Sequence, residues 1–425
     1  MDENQQNTQP ADERGSVTRR RFVTQLGAAA IVSSSSLMRG AWAQAPKLKV
    51  GVLLPRSGVQ AFVGQSCQLG AELAPAVLKS MLGVDIELMA ADTETNVEVA
   101  RSRAERAISE GANVLVGPFD SGAAQAIAQV AEQRGVPFVI NIAAAPQITE
   151  QGYKFTFRNF PTSVDLVTNG LALAGDLFKA TNTEPKTAVF MHINDTFGEA
   201  NRKAIDALMP KLAGKLPFKI VETISYDPAA KDLTVEVAKA KASKADFLLL
   251  VCRLNDSIIL RREMVKQRWN PMGIIAPGNP GMYENQYYSA LGKLSEYSIS
   301  NVPWYNPRSP VTKAVDAQMK KQFPSEKLMF HALNIGFTFE AMMIVADAFK
   351  RAKSNDPKAL AEAIRQTNIT SRMMVGGPIR FNAKGQVEGI ASAAIQNLNM
   401  KPTVVLPADS AEAKPVFPMP GYKRA

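Results

Sequence analysis

The chain has 425 residues, 49 Lys and Arg against 39 Asp and Glu, and only two histidines and two cysteines. That inventory excludes a His-rich zinc site and a dense disulfide framework, and no motif supports a Ser-His-Asp or Cys-His nucleophile. A hydrophobic fraction of 46% is enough for two ordinary cores, and the basic residues are scattered along helical faces, which argues against a nucleic-acid stripe.

Thr18-Arg19-Arg20-Arg21-Phe22-Val23 precedes a mildly apolar run, Leu26 to Leu37, and Ala41-Trp42-Ala43 follows as a small-x-small cleavage site. Residues 1–43 therefore form an export signal, and the paired arginines followed by Phe resemble the twin-arginine type, whose machinery carries folded proteins into the periplasm. The run is too short and too rich in Gly, Ser and Thr to span about 30 Å of hydrocarbon. Five Arg and four acids leave with it, so a mature chain starting near Gln44 keeps a charge of about +9. For an exported protein that charge suits a solvated surface or an anionic ligand better than DNA. Cys67 and Cys252, one in each half, read as two buried thiols.

From Lys47 a short apolar run, a turn and an amphipathic stretch repeat. Strands are expected at Lys49–Leu54, Asp85–Ala90, Val114–Gly117, Phe138–Ile142 and Lys154–Arg158, with helices at Gln65–Met81, Val97–Ser109 and Ala123–Gln133 between them. The strands read as continuous apolar runs, as a parallel sheet covered on both faces requires. After Asn159-Phe160-Pro161-Thr162-Ser163 the rhythm restarts. Strands fall at Thr187–His192, Phe218–Thr223, Phe247–Cys252 and Gly273–Ala276; helices fall at Val164–Thr181, Glu199–Leu212, Thr234–Ser243 and Asp256–Arg268. A strand at Tyr297–Val302 precedes helices near Thr312–Gln322 and His331–Lys353. A hairpin of Pro378–Phe381 with Ala391–Leu398 turns at Asn382-Ala383-Lys384-Gly385, and an irregular end runs from Pro402. The fold class is α/β, with two doubly wound parallel-sheet lobes. Ligands of such sheets bind beyond the carboxyl ends of the strands, where helix N-termini present free N–H groups.

Six ordered signatures occupy those ends: Gly51-Val52-Leu53-Leu54-Pro55-Arg56-Ser57-Gly58 with Gly64, Ala91-Asp92-Thr93, Val116-Gly117-Pro118-Phe119-Asp120-Ser121, Asn141-Ile142-Ala143-Ala144-Ala145-Pro146, Asn194-Asp195-Thr196-Phe197-Gly198 and Gly377-Pro378-Ile379-Arg380-Phe381-Asn382. Together they resemble the periplasmic binding-protein family typified by the leucine/isoleucine/valine receptor of ABC importers. The resemblance implies a type I architecture in which three crossover segments join the lobes, near Asn159–Ser163, Ser300–Trp304 and Met373–Gly377. Lobe 1 would be residues 46–161 plus 303–374, lobe 2 residues 162–302 plus 375–410, and 411–425 an irregular tail.

The resemblance makes Ser121 the serine that receives a ligand carboxylate, a role compatible with capping the helix it precedes. Ala143 and Ala144 would offer main-chain groups beside the ligand, and Phe197 would replace a tyrosine. In amino-acid receptors of this family a threonine and an acidic residue grip the ammonium group. Here the matching places hold Ala145 and the loop Pro277-Gly278-Asn279-Pro280-Gly281, with Asn279 as its polar member and Glu284 a little beyond. An unpaired buried ammonium costs several kcal/mol, so amino acids are disfavoured. Arg253, at the end of a buried strand, either pairs with an acid such as Asp256 or forks onto a ligand carboxylate. Arg56 stands where the family tends to be small. Two inward arginines, with Phe62, Phe119, Phe197 and Trp304 as flat walls, would suit an aromatic or other hydrophobic carboxylate.

The expectation is a periplasmic receptor delivering a small organic acid to the permease and ATPase of an ABC importer, with no metal, no cofactor and no nucleic-acid partner. A receptor for a hydrophobic amino acid or amide is the alternative, and a sensory module serving a signalling partner is the alternative of another class. An enzyme would need a phosphate loop, a G-x-S-x-G elbow or a His-carboxylate cluster, none of which occurs.

Overall fold

A computed structural model describes residues 47–421 apart from Asn279 and Pro280. The expected export signal and the expected ligand residue Asn279 lie outside the described residues. In chain order, the first half contains β1 (Leu48–Leu54), α1 (Ala61–Leu82), β2 (Ile86–Asp92), α2 (Val97–Ser109), β3 (Val114–Val116), α3 (Ser121–Arg134), β4 (Phe138–Ile140) and β5 (Thr156–Arg158). These strands make a five-stranded parallel sheet of order β2-β1-β3-β4-β5. The second series is α4 (Ser163–Ala180), β6 (Thr187–Ile193), α5 (Thr196–Leu208), β7 (Lys219–Tyr226), α6 (Thr234–Ala242), β8 (Phe247–Val251), α7 (Leu254–Lys266), β9 (Ile274–Pro277), α8 (Asn285–Leu291) and β10 (Ile299–Pro303). The chain ends with α9 (Pro310–Gln322), α10 (Ala332–Ala352), α11 (Pro357–Arg365), β11 (Ser392–Leu398) and β12 (Lys401–Leu406). The second sheet has the order β12-β11-β10-β9-β8-β6-β7, parallel except where β11 runs against β10 and β12.

Burial explains why these segments are strands. Every residue of β8, Phe-Leu-Leu-Leu-Val, is buried, as helices on both faces of a parallel sheet demand. Caps set the helix starts: Asn96 accepts the Glu98 and Val99 N–H groups, and Thr162 and Asp165 form a reciprocal capping box on α4. Strand ends and helix starts approach so closely that side chains are excluded. A Cβ on Gly198 would sit 1.6 Å from the Ile193 carbonyl oxygen, and Gly117 combines φ of +127° with the Leu53 carbonyl 2.1 Å from where its Cβ would be. The helix α10 is apolar enough to cross a membrane, yet 94% of its apolar window is buried inside the protein, where it packs on α1, β3 and β4.

The chain passes between the sheets from β5 into α4, which packs on β9 and β10, and from β10 into α9, which returns to α1. The third passage differs from the expectation. Residues 379–388 form a small antiparallel loop, with Phe381 opposite Val387, turning at Asn382–Gly385 as expected. That loop lies on the free edge of β5. Arg158 N–H donates to the Gly385 carbonyl, Val387 N–H donates to the Arg158 carbonyl, and the Phe157 and Phe381 rings lie 5.4 Å apart. It therefore belongs with the first sheet, which corrects the boundary expected at 374/375. The chain crosses to the second sheet around Gly389–Ala391. The partner of the last long strand is also corrected: β11 pairs with β12 through a two-residue turn, Asn399-Met400, both at positive φ. Pro402 thus lies inside a strand, not at the start of an irregular end. It is opposite Asn397 on the outermost strand, where a missing N–H is tolerated. The segment from 411 is irregular but docked, for Phe417 packs on the Phe178 ring at 5.3 Å.

Candidate inter-lobe binding site

Two polar clusters fill the seam where the carboxyl ends of the two sheets face each other. The first is built around two helix N-termini. After β3, the Asp120 carboxylate caps α3 by accepting the Ala123 N–H at 2.9 Å; after β6, Asp195 caps α5 by accepting the Gly198 N–H at 2.8 Å. The capping residue is therefore Asp120, which corrects the reading of Ser121 as the cap. Ser121 is the first residue of α3, fully buried, and its Oγ accepts the Ala145 N–H at 3.3 Å.

Arg253, directly after Cys252 at the end of β8, inserts its guanidinium between these aspartates. Nη2 lies 2.5 Å from the Asp195 carboxylate and 3.6 Å from that of Asp120, and Nε donates to Asp195 at 3.2 Å. Its Cζ stands 5.0 Å from the Phe197 ring centre and 5.4 Å from that of Phe119. Burial alone would lower the guanidinium; Asp195 and then Asp120 overcome that and hold it above its ordinary value. The expected pairing with Asp256 is not made by the arginine side chain. The Asp256 carboxylate accepts the Arg253 backbone N–H at 2.9 and 3.0 Å and the Tyr226 hydroxyl at 2.6 Å, and burial pushes it up to about 6. Two further hydrogen bonds support the cluster, the second of them crossing the seam. Gln60 Nε2 donates to Asp120 at 3.1 Å, and Asn255 Nδ2 donates to the Val59 carbonyl at 2.6 Å.

The second cluster lies where the loop after β9 meets α1 and α10. Glu284 is fully buried. Its Oε1 accepts from Asn334 Nδ2 at 2.9 Å, while its Oε2, the Asn334 Oδ1 and the Tyr283 hydroxyl have no hydrogen-bond partner in the protein. Burial pushes the Glu284 carboxyl up to about 8, the Asn334 hydrogen bond offsetting only part of that. The Cys67 thiol, pushed up to about 12 mainly by burial and further by Glu284, sits beside Thr338 and Asn141. Asn141 in turn donates to the Thr338 hydroxyl at 2.8 Å. Trp304 packs edge-on to Tyr283, ring centres 5.1 Å apart. This overturns the premise on which amino acids were disfavoured: the seam does hold a carboxylate, three residues beyond the Pro277–Gly281 loop.

The remaining expected site residues divide. Phe119, Phe197 and Arg253 are brought together, with Ser121 adjacent. Ala143, Ala144 and Ala145 are buried nearby, but their carbonyls are already engaged. Arg158 Nη1 donates to Ala143 and Ala145 at 3.4 and 2.6 Å, and Ser163 N–H donates to Ala144 at 2.8 Å. Each of the three carbonyls thus already accepts at least one hydrogen bond from within the protein. Arg158, whose guanidinium burial lowers to about 9, also donates to Gln386 and Thr149 and is held by neutral acceptors alone among its hydrogen bonds. Arg56 does not join Arg253. It lines a separate cavity of about 480 Å³ with Met89, Asp92, Arg103 and Arg106, so the cleft cationic on two sides is corrected to one with a single, compensated arginine. Phe62 packs against His331 at 6.1 Å, on the flank of α1. Behind it Ser66 Oγ lies 2.8 Å from His331 Nδ1, and Glu326 lies 2.9 Å from Nε2. That hydroxyl is buried within α1, and the three groups fasten α1 to the start of α10. Among the described residues no group of three or more His, Cys, Asp or Glu could hold a metal ion.

Two lobes on parallel sheets, with capped helix starts and buried polar groups in the seam between them, define a ligand-binding protein of the bilobal type. Residues 47–399 match the model of the family described as periplasmic binding protein, and the chain belongs to that family, whose members are solute-binding receptors of the ABC-transporter type. It is 24% identical over 349 residues to a leucine-, isoleucine-, valine-, threonine- and alanine-binding protein of Pseudomonas aeruginosa, a match covering 81% of this chain and 88% of that one. Among solved structures it resembles a leucine-binding protein of Thermotoga maritima, with TM-score 0.73 and 22% identity, covering 84% of this chain and 97% of the other. A solute-binding protein of R. palustris in complex with benzoate aligns with TM-score 0.71 and 20% identity, over 87% and 98% of the two chains.

Proposed function

We propose that this protein is a periplasmic receptor for a small carboxylic acid that also carries a strong hydrogen-bond donor, a hydrophobic amino acid foremost, delivered to the permease and ATPase of an ABC importer. One observation carries the reading: Glu284 is buried in the seam with an unsatisfied oxygen, beside the unsatisfied Asn334 Oδ1 and Tyr283 hydroxyl. Buried polar atoms are rarely left unpaired, and three acceptors in one place fit an ammonium group. The ligand's carboxylate would meet the Ser121 hydroxyl and the Ser121 and Gly122 N–H groups of α3, which precede the Ala123 N–H that Asp120 caps. Export through the twin-arginine route and cleavage near Ala43 form part of this proposal.

A second reading keeps the acid and replaces the ammonium by a phenolic hydroxyl. The same three acceptors could take that proton, and the benzoate complex of the R. palustris protein supports it. A thermal-shift panel separates the two. Leucine, isoleucine and valine should raise Tm more than benzoate and 4-hydroxybenzoate do, and Glu284→Gln should shrink the amino-acid shift. A panel in which only the aromatic acids stabilise reverses the ligand assignment.

A further inference from the structure

A cavity of about 500 Å³, within the size range of small-molecule sites, lies beside two of the passages between the sheets. Its walls are the segment after β10, with Trp304 and Tyr305, the segment at Val375 and the start of β11, and the loop after β12, with Asp409 and Glu412. Trp304 is the partition between this space and the seam, since it also packs on Tyr283, the neighbour of Glu284. None of the other cavity residues belongs to either polar cluster described above.

Three features give the cavity a chemistry. Its apolar part is aromatic: the Trp304 and Tyr305 rings lie 5.4 Å apart at 53°, with the exposed Val375 side chain beside them. Its rim carries two carboxylates, Asp409 and Glu412, against one guanidinium, Arg308. Glu412, after burial itself, pushes the Tyr305 hydroxyl up, which places negative potential at the aromatic wall. Within the strand edge, the buried Ser392 Oγ has no hydrogen-bond partner in the protein.

We propose that this cavity is a second ligand site, distinct from the seam, that takes a small aromatic amine: ring against Trp304 and Tyr305, ammonium toward Asp409 and Glu412, with Ser392 as a hydrogen-bond partner. Cation–aromatic attraction and two acids act on the same charge there.

The probe is 2-phenylethylamine, titrated into the full chain carrying 5-fluorotryptophan, with the Trp304 resonance assigned through Trp304→Phe. The Trp304 fluorine signal should shift saturably while Trp269 stays still. The double substitution Asp409→Lys with Glu412→Lys, both at exposed positions that leave the core intact, should raise the midpoint by at least about tenfold. Neutral 2-phenylethanol should bind at least about tenfold more weakly than the amine. An unmoved Trp304 signal, or the same midpoint in the charge-reversed protein, overturns the proposal.

Discussion

The two polar clusters in the seam solve opposite problems. Around Arg253 every charge is answered: one guanidinium, two capping aspartates drawn from different lobes, and two phenylalanine faces. Around Glu284 the charge is unanswered, and burial drives the carboxyl up to about 8 so that it holds its proton at neutral pH. A compensated cluster holds two surfaces together by itself; an uncompensated one waits for a partner of complementary chemistry. In the proposed function, closure rests on the first and recognition on the second.

The largest expected effect breaks the compensated side. Arg253→Ala leaves Asp195 and Asp120 facing each other in a buried seam and should cost about 3–5 kcal/mol in chemical denaturation, the range for stripping one partner from a buried pair. A loss below about 1 kcal/mol would mean that the aspartates are solvated and the cluster is not a closure element.

The second effect tests the uncompensated side through pH. Folding raises the Glu284 carboxyl from 4.5 to about 8, so between those values the folded protein keeps a proton that the unfolded chain has released. Raising pH through that window then favours unfolding, and the ligand-free protein should lose stability by at most about 1.4 kcal/mol per pH unit for this one proton. Comparing melting curves of the native protein and Glu284→Gln from pH 5 to pH 8 isolates the term, because the variant should lack it. Parallel curves would place Glu284 in water.

A third, smaller effect concerns affinity. Glu284→Gln keeps the shape and removes the charge, so leucine should bind about 1.5–3 kcal/mol more weakly by calorimetry, in line with a hydrogen bond between charged groups. The smallest sharpens the Arg253 side again. Phe197→Leu keeps an apolar group but removes the ring under the guanidinium, and should cost about 0.5–2 kcal/mol of stability.

The sequence revealed the fold where residues report on themselves. Phe247–Val251 is apolar throughout because both faces of its sheet are covered, and Thr162 with Asp165 announces a helix start three residues apart. Two helices went unread: α8 is seven residues long, and α11 carried its signal openly in Asp356, a capping residue, and Pro357 at the first helical position. Pro402 hides the β11–β12 turn in the sequence, since proline reads as an ending although an edge strand accepts it. The site was legible in part. Strand-end position pointed to Arg253, the family resemblance to Ser121 and Phe197, and apolar character to Phe119 as a wall. Pairings across the chain were not, since Arg253 meets Asp195 from 58 residues away and Glu284 meets Asn334 from 50. Glu284 stands outside the Pro277–Gly281 loop in sequence, and its burial is not visible there. The turn beyond that loop brings Tyr283 against Trp304 and Glu284 against Asn334.

Calorimetry of leucine binding at pH 7, repeated in buffers of different ionisation enthalpy, tests the division of labour most directly. A carboxyl at about 8 that becomes ionised against an ammonium must give up its proton, so binding should release close to one proton per ligand, and Glu284→Gln should release none. Binding without proton exchange, or equal release by the variant, would contradict the assignment of recognition to the Glu284 cluster.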